Sequence, residues 1–147
     1  ERQSRYRELI QQLSLSFINL PIDELGDAID GALARIGRFF DVDRAYVFDY
    51  DFAAGTTSNT HEWCAPGITS EIDNLQNLPI DVIPEWLAQH RRGEAMLLED
   101  VSALPPGPLR DILEPQQIVS LITVPLIYDG ACLGYVGIDI VRQPANR

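Results

Sequence analysis

Residues 120–141 read SLITVPLIYDGACLGYVGIDIV, and this stretch decides the fold. It consists of two apolar arms joined at Asp129-Gly130, a dipeptide typical of a tight β-hairpin turn. Each arm is nearly continuous in apolar residues, whereas a strand with one face in water alternates apolar and polar residues. Gly134 and Gly137 interrupt the second arm, which indicates that another backbone or a ligand comes close there. We therefore predict a hairpin at the centre of a sheet that is covered on both faces.

The composition of the chain favours one globular domain. The chain has 147 residues, of which 46% are hydrophobic, and no apolar run approaches the ~20 residues needed to cross a bilayer. Its net charge of −11 argues against nucleic acid and against an anionic membrane as partners. Cys64 and Cys132 both lie in predicted strands, and we expect reduced thiols in a cytoplasmic protein. Because the first residue is not methionine, we expect a piece of a longer protein.

Upstream of the central hairpin, the sequence predicts two helices and a first hairpin. Apolar residues at positions 6, 10, 13, 17 and 20 form a heptad-like stripe, which fits either a helix packed on its own domain or a short dimer contact. A second helix is predicted from an N-cap at Asp23 to Phe40. Residues 43–51 and 56–64 then form two strands joined by a turn at Ala54-Gly55.

The segment between the two hairpins has lost this periodicity. Residues 85–92 and 109–113 are predicted as short helical pieces and residues 95–98 as a short strand, separated by the proline-rich loop 104–108. Long irregular segments inside a compact domain are usually functional or disordered. Because this one carries Trp86 and many other apolar side chains, we expect an ordered, functional segment.

At this point the residues resemble a known family. The central hairpin is similar to the last two core strands of GAF domains. DRAYVFDYD at residues 43–51 and SNTHEWCAPGI at residues 58–68 resemble the GAF domains of bacterial sensor proteins. IDNLQNLPID at residues 72–81 and LEDVSALPP at residues 98–106 match the same subset, so that the resemblance runs from about Leu13 to Arg142.

The resemblance implies a fold and an organisation. The fold would be α+β and GAF/PAS-like: a six-stranded antiparallel sheet with helices on one face and a loop and short-helix excursion that covers a pocket on the other. Residues 1–20 would form a signalling helix, 21–142 the GAF domain and 143–147 the start of a connector. GAF domains of this subset typically lie upstream of a histidine kinase or diguanylate cyclase, which would lie beyond this chain. The heptad-like stripe at positions 6–20 in addition predicts a homodimer through terminal helices.

Six residues are the candidates for contacting a small molecule in that pocket. With simple strand alternation, Asn59, His61 and Trp63 share one face of the second strand. Trp63 and Trp86 would then stack on a flat ligand, or they are simply part of the core. Arg44 and Arg91-Arg92 are candidate contacts for an anion. The predicted ligand-binding set is Tyr46, His61, Trp63, Trp86, Ser120 and Thr123.

The sequence disfavours several other chemistries. A metal site is not expected, because His61 and Cys64 point to opposite faces of a strand and no second ligand pair has zinc-like spacing. The second histidine, His90, has no evident role. Cyclic-nucleotide-binding GAF domains carry an Asn-Lys-x-Phe signature, and this chain has no lysine. Bilin-binding GAF domains use an attachment cysteine in the excursion, and the nearest is Cys64, at a strand end, so that both ligands are disfavoured and the cofactor stays unknown.

Three functions therefore remain in view. The first is a sensory module that passes a conformational signal to an output domain and has no catalytic residue of its own. The second is a dimerisation and spacer module without a ligand. The third, less favoured, is a thiol-based reductase of free methionine sulfoxide, which needs two thiols that can meet. The positions of Cys64 and Cys132 in strands fit that enzyme poorly.

Overall fold

One antiparallel sheet of six strands organises the chain. The computed structural model describes residues 7, 8, 11 and 25–141, and the sheet has the strand order β3-β2-β1-β6-β5-β4. The strands are β1 (Arg44–Asp51), β2 (Thr56–Cys64), β3 (Leu78–Pro79), β4 (Met96–Leu98), β5 (Ile118–Tyr128) and β6 (Ala131–Val141). The helices are α1 (Leu25–Phe40), α2 (Pro84–Arg91) and α3 (Pro108–Leu113), with short 3-10 turns at Ile72–Asn74, Ile80–Val82, Val101–Ala103 and Glu114–Gln116. The predicted α+β fold is confirmed.

The central hairpin is β5 and β6, as the sequence predicts. Asp129 and Gly130 both have positive φ, 51° and 79°, the combination that a two-residue hairpin turn of type I′ requires. β6 pairs with β5 on one side and with β1 on the other, while β1 pairs with β2. The two hairpins therefore lie side by side and form the middle of the sheet.

Both faces of the sheet are covered, by different parts of the chain. On the first face, here called the helix side, α1 packs Ile29, Leu33 and Ile36 on residues such as Val47 and Val136. The second face lies beneath residues 65–117, here called the cover segment, which contains α2 and α3. Its cluster includes Tyr46, Phe48, Ile83, Trp86, Leu113 and Tyr135. The near-continuous apolar character of β5 and β6 follows from this double burial.

The glycines of β6 allow close contacts with β1, again as predicted. A Cβ on Gly134 would overlap the backbone oxygen of Phe48, and a Cβ on Gly137 would overlap the ring of Tyr46. Gly137 and Tyr46 are cross-strand partners, so that the ring crosses the neighbouring strand where a side chain is missing.

A bulge in β2 reverses the direction of its side chains. Val47 of β1 pairs with His61, but the next residue, Phe48, pairs with Asn59, so that Thr60 is an extra residue. A one-residue bulge moves all following side chains to the opposite face. The prediction that Asn59, His61 and Trp63 share a face is therefore wrong: Asn59 faces the cover segment, and Trp63 belongs to the helix-side cluster.

Other predicted segments fall largely outside the described residues. The signalling helix at 1–20 is described only at residues 7, 8 and 11, which are helical and exposed, and the connector at 143–147 is not described. The second helix is observed from Leu25, and its predicted N-cap at Asp23 also lies outside. Among the residues that the structure describes, no helix is long and apolar enough to cross a bilayer.

Candidate functional site

A small cavity lies between the sheet and the cover segment. Its volume is about 40 Å³, which is room for a few water molecules or a very small organic molecule. Most of its wall is apolar and comes from both layers, and one end is polar. The apolar lining includes Phe48, Leu75, Ile83, Trp86, Leu113 and Tyr135; the polar lining includes Arg44, Tyr46, Asn59, Glu62, Gln116 and Asp139.

Aromatic rings form one wall of the cavity. The rings of Phe48 and Tyr135 are parallel, with centroids 5.0 Å apart, and Trp86 meets Tyr135 edge-on at 5.9 Å. Tyr46 meets Phe48 edge-on at 5.6 Å. Each geometry is one that aromatic pairs favour. Tyr46, Phe48 and Tyr135 are all on the central strands β1 and β6. Only Trp86 comes from the cover segment, so movement of that segment would open this wall.

The polar end is organised around a buried arginine. The Arg44 guanidinium contacts a carboxylate oxygen of Asp139 at 3.4 Å and one of Glu71 at 3.7 Å, and its Nε donates to the backbone oxygen of Thr69 at 3.0 Å. The Tyr46 hydroxyl donates to the other oxygen of Asp139 at 2.6 Å. Because Glu71 and Thr69 belong to the cover segment, Arg44 ties that segment to the sheet.

Burial has a strong effect on the charge of Asp139. Desolvation raises the pKa of its carboxyl from 3.8 to about 7, although the Tyr46 hydroxyl and the Arg44 guanidinium both act to lower it. Burial, and then the neighbouring Asp139, raises the pKa of Tyr46 well above its usual value. Tyr46 is therefore a neutral donor at every physiological pH, and Asp139 changes charge near neutrality.

Asn59 presents an acceptor that has no partner. The residue is 3% exposed and lines the cavity, and its Oδ1 has no hydrogen-bond partner in the described part of the chain. Its backbone is held on both sides, since its N–H donates to Leu75 and its carbonyl accepts from Gln76 Nε2, both at 2.8 Å. Buried acceptors are seldom left unpaired, because desolvating one without a partner costs about 1–3 kcal/mol.

A buried histidine connects the cover segment to the sheet beside the cavity. His90 of α2 is completely buried, with Nδ1 2.7 Å from the Tyr50 hydroxyl and Nε2 2.8 Å from Thr123 Oγ1. Desolvation lowers its pKa from 6.5 to about 4, which keeps the ring neutral at physiological pH. No role for His90 is evident from the sequence, and the structure shows one: the ring anchors α2 on strands β1 and β5.

The structure brings together only part of the predicted ligand-binding set. Tyr46 and Trp86 line the cavity. Thr123 lies on the same face, but its hydroxyl is bonded to His90. Ser120 is two residues before Ile122 in β5 and therefore shares the helix side with it, away from the cavity. His61 and Trp63 follow the bulge and are outside the cavity lining, with Trp63 packed against α1. The hypothesis that both tryptophans stack on one ligand is therefore wrong.

Neither cysteine has the surroundings of a reactive thiol. Both are free and partly buried, and burial raises the pKa of Cys64 to about 11 and also raises that of Cys132. The thiolate, which is the nucleophile, is thus disfavoured at both positions. Within the described ranges, no three His, Cys, Asp or Glu residues lie close enough to hold a metal ion.

An open groove adjoins the polar end of the cavity. Its volume is about 510 Å³, and it is bounded by residues 66–71 of the cover segment, by residues 115–117 and by Val141. Arg44 and Gln116 line both the groove and the cavity, so these two side chains separate one from the other. A path from solvent to the cavity would pass between them.

Comparison with known proteins gives one family and several relatives. The GAF domain family model matches residues 24–145. The methanogenesis regulatory histidine kinase FilI of Methanothrix harundinacea (strain 6Ac) is 29% identical over 129 residues, an alignment that covers 83% of this chain and 14% of that protein. The chain thus spans about one seventh of the length of this curated relative.

Two solved structures share this fold, one described as a blue-light absorbing form and one as bound to phycocyanobilin. The blue-light absorbing form of the Thermosynechococcus elongatus PixJ GAF domain has a TM-score of 0.68 and 19% identity, covering 85% of this chain and 76% of that one. The phycocyanobilin-bound GAF domain of a cyanobacterial phytochrome has a TM-score of 0.67 and 15% identity, covering 99% and 82%. At these identities the likeness shows the fold alone.

These structures correct the prediction about cofactors. The sequence argument disfavoured bilins because no attachment cysteine occurs in the expected place. A fold shared with a phycocyanobilin-bound domain overturns that argument, which considered attachment residues and not the shape that surrounds a ligand.

Proposed function

The chain belongs to the GAF domain family, and from this premise we propose that it is a sensory module. It binds a small molecule between the sheet and the cover segment and passes a conformational signal to an output domain. The observation that carries the proposal is the cavity between sheet and cover segment, with its aromatic wall, buried charge network and unpartnered acceptor at Asn59. Cavities of this construction, mostly apolar with a few convergent polar groups, are typical ligand sites.

Ligand binding would act by population shift. Side-chain contacts that hold the cover segment to the sheet at the cavity include those of Arg44 with Glu71 and Thr69 and those of His90 with Tyr50 and Thr123. A ligand that contacts both layers favours one arrangement of the segment over another, by as much as its affinities for the two arrangements differ.

The polar end of the cavity is close to the end of β6. Asp139 faces the cavity, and its backbone oxygen accepts from the N–H of Asp43 at 3.0 Å. The N–H of Val141 donates to the Asp43 carboxylate at 2.7 Å. A change at Asp139 is therefore two residues from the end of the strand, which supports a route of the signal along β6 towards residues 142–147.

The parent protein is proposed to be a histidine kinase or a related signalling protein. The support is the relationship to FilI, a regulatory histidine kinase, over 83% of this chain. We place the module in the cytoplasm as a homodimer that associates through its terminal helices, with a histidine kinase or diguanylate cyclase as the output domain. The domain itself is proposed to have no catalytic activity, which the raised thiol pKa values of Cys64 and Cys132 support.

The size of the cavity limits what can enter without movement. At about 40 Å³ it admits only a few non-hydrogen atoms, whereas drug-sized ligands occupy ~300–1,000 Å³. A larger ligand requires Arg44 and Gln116 to move apart and join the cavity to the groove of about 510 Å³. The same small volume favours the second candidate function, a spacer that transmits or dimerises without a ligand.

Native mass spectrometry of the purified chain separates the two functions. A reproducible extra mass that disappears on denaturation supports the sensory module and identifies the ligand class. If no mass is retained, a thermal-shift screen with metabolites follows, since a ligand of the folded state raises the melting temperature by mass action. Bilins belong in that screen because a solved structure of this fold holds phycocyanobilin, and an absorbance spectrum reports their uptake directly. A chain that retains nothing and responds to no compound is a spacer.

A further inference from the structure

We propose that the cavity takes a molecule that donates a hydrogen bond to Asn59 Oδ1, and that this molecule is uncharged or cationic, not anionic. The inference rests on the proposed ligand-binding function and specifies the chemistry of the ligand. Three observations carry it: an acceptor without a partner, donors that are already occupied, and a local excess of carboxylates.

The first observation is the position of Asn59. Its backbone is fixed by hydrogen bonds to Leu75 and Gln76, and its side chain is buried on the cavity wall with Oδ1 unpartnered among the described residues. The Thr60 bulge follows directly and turns the next side chains away. A strand irregularity that re-aims a side chain into a cavity is typical of a functional position. What this oxygen lacks is a donor.

The second observation is that the donors at the polar end are in use. Arg44 donates to Asp139 and to the backbone of Thr69, and Tyr46 donates to Asp139. Gln116 Nε2 donates to the backbone oxygen of Ile112 at 2.9 Å. An anion would therefore compete with acceptors that these groups already have in the chain, whereas a donor pairs with an oxygen, Asn59 Oδ1, that has no partner among the described residues.

The third observation is the balance of charge. The Arg44 side chain is close to two carboxylates, Asp139 and Glu71, and Glu62 adds a third at the cavity wall. Glu62 accepts from the backbone N–H of Glu71 at 3.0 Å, which holds its charge in place. Even with Asp139 protonated, Glu71 and Glu62 outnumber the single positive charge of Arg44, so that a cation gains from the local charge and an anion is repelled by it. Arg44, a candidate anion contact in the sequence analysis, is paired here with the carboxylates of Asp139 and Glu71.

The test uses three probes that differ only in their polar group and are small enough for the cavity. They are n-propylammonium, propionamide and propionate, titrated into the 15N-labelled 147-residue chain and followed by NMR. We expect saturable shifts at the cavity residues with the first two probes, with dissociation constants of millimolar order, and no saturable shift with propionate.

Two leucine variants show whether Asn59 is the acceptor. Asn59→Leu removes the polar atoms at nearly constant volume, and we expect it to abolish the saturable shifts and to raise the melting temperature of the free chain, because an unpartnered buried oxygen is gone. Asn74→Leu makes the same change at an exposed asparagine of the cover segment; it removes a 3.3 Å hydrogen bond from Nδ2 to Glu71 Oε1 but no atom of the cavity lining, and should leave probe binding unchanged. If Asn59→Leu does not fold, Asn59→Asp replaces it, and a tighter hold on n-propylammonium than on propionamide is expected.

The possible outcomes distinguish this inference from the function on which it rests. Binding of propionate in preference to the other probes overturns the inference and leaves the sensory function standing. Binding that survives Asn59→Leu also overturns it, because the ligand then does not depend on Asn59 Oδ1. If no probe binds and native mass spectrometry finds no retained molecule, the proposed ligand-binding function fails as well.

Discussion

The indole ring of Trp63 lies directly against Gly37 of α1. A Cβ on residue 37 would overlap the ring, so that no side chain fits between them. The contact sets how closely α1 approaches β2, and it places Trp63 in the helix-side cluster, on the face of the sheet opposite to the cavity. The two tryptophans of the chain therefore lie in different places: Trp63 packs against α1, and Trp86 lines the cavity.

A pair of glycine substitutions in α1 tests this contact. Gly37→Ala places a methyl group in the space of the Trp63 ring, and overpacking of this kind costs about 1–3 kcal/mol of the free energy of unfolding. Gly31→Ala makes the same change in the same helix, where the nearest atom, Arg35 Nη1, is at an ordinary 3.5 Å. There alanine should stabilise by about 0.5–1 kcal/mol, because glycine is a poor helix former. Urea denaturation measures both, and equal effects would contradict the contact.

The separation of the two tryptophans predicts a fluorescence result. In Trp63→Phe the remaining Trp86 lines the cavity, and its emission should change as n-propylammonium saturates the chain. In Trp86→Phe the remaining Trp63 is partly buried against α1 on the other face of the sheet, and its emission should stay constant over the same titration. A response from Trp63 alone would show that the ligand binds elsewhere.

The fold was predictable because its determinants are local. The Asp129-Gly130 turn and the apolar arms of residues 120–141 are read directly from the sequence, and the observed strands end within two or three residues of the predicted hairpin. Gly134 and Gly137 also indicated the close approach of β1 correctly. Each of these signals depends on neighbouring residues in one strand or turn.

The site was less predictable because its determinants are not local. One inserted residue, Thr60, decides which side chains of β2 reach the cavity, and nothing in residues 56–64 marks a bulge. His90 is on a short helix whose packing partners are 40 and 33 residues away. The signal that could have drawn attention to Asp139 is a single carboxylate inside an otherwise apolar strand, which requires a buried partner.

The thiols provide a test of the reductase hypothesis. Burial raises the pKa of Cys64 from 9.0 to about 11, which leaves about 100-fold less thiolate near neutral pH than in an unperturbed cysteine. Alkylation of Cys64 by iodoacetamide, followed by mass spectrometry, should therefore be roughly 100-fold slower in the folded chain than in denaturant. Fast alkylation of the folded chain, together with loss of signalling in Cys64→Ser, would support the hypothesis that the chain is a thiol-based reductase.

Asp139 should make the chain less stable as the pH rises. Its folded pKa of about 7 is above the unfolded value of 3.8, so that between these values the folded state holds a proton that the unfolded state has lost. Its contribution is thus fully present below about pH 4 and is lost as the pH rises through 7. Asp139→Asn abolishes this dependence. As the pH rises from about 4 to about 7, the free energy of unfolding of the variant should therefore increase relative to that of the wild type, by an amount of the order of 4 kcal/mol. Urea denaturation at a series of pH values measures the difference, and parallel curves would contradict the prediction.

His90 should have the opposite pH dependence. Its folded pKa of about 4 is below the unfolded value of 6.5, so that between these values the unfolded state binds the extra proton. The stability that the neutral ring contributes is therefore present above about pH 6.5 and is lost as the pH falls towards 4. In the wild type this loss runs against the gain from Asp139, and the two should largely offset each other between about pH 4 and 6.5. His90→Gln removes the pH dependence that comes from the histidine, so the stability of this variant should rise when the pH is lowered from about 6.5 to 4. The stability of Asp139→Asn should fall over the same range. Urea denaturation of both variants at the same pH values decides it: slopes of the same sign would show that one of the two groups is not buried as described.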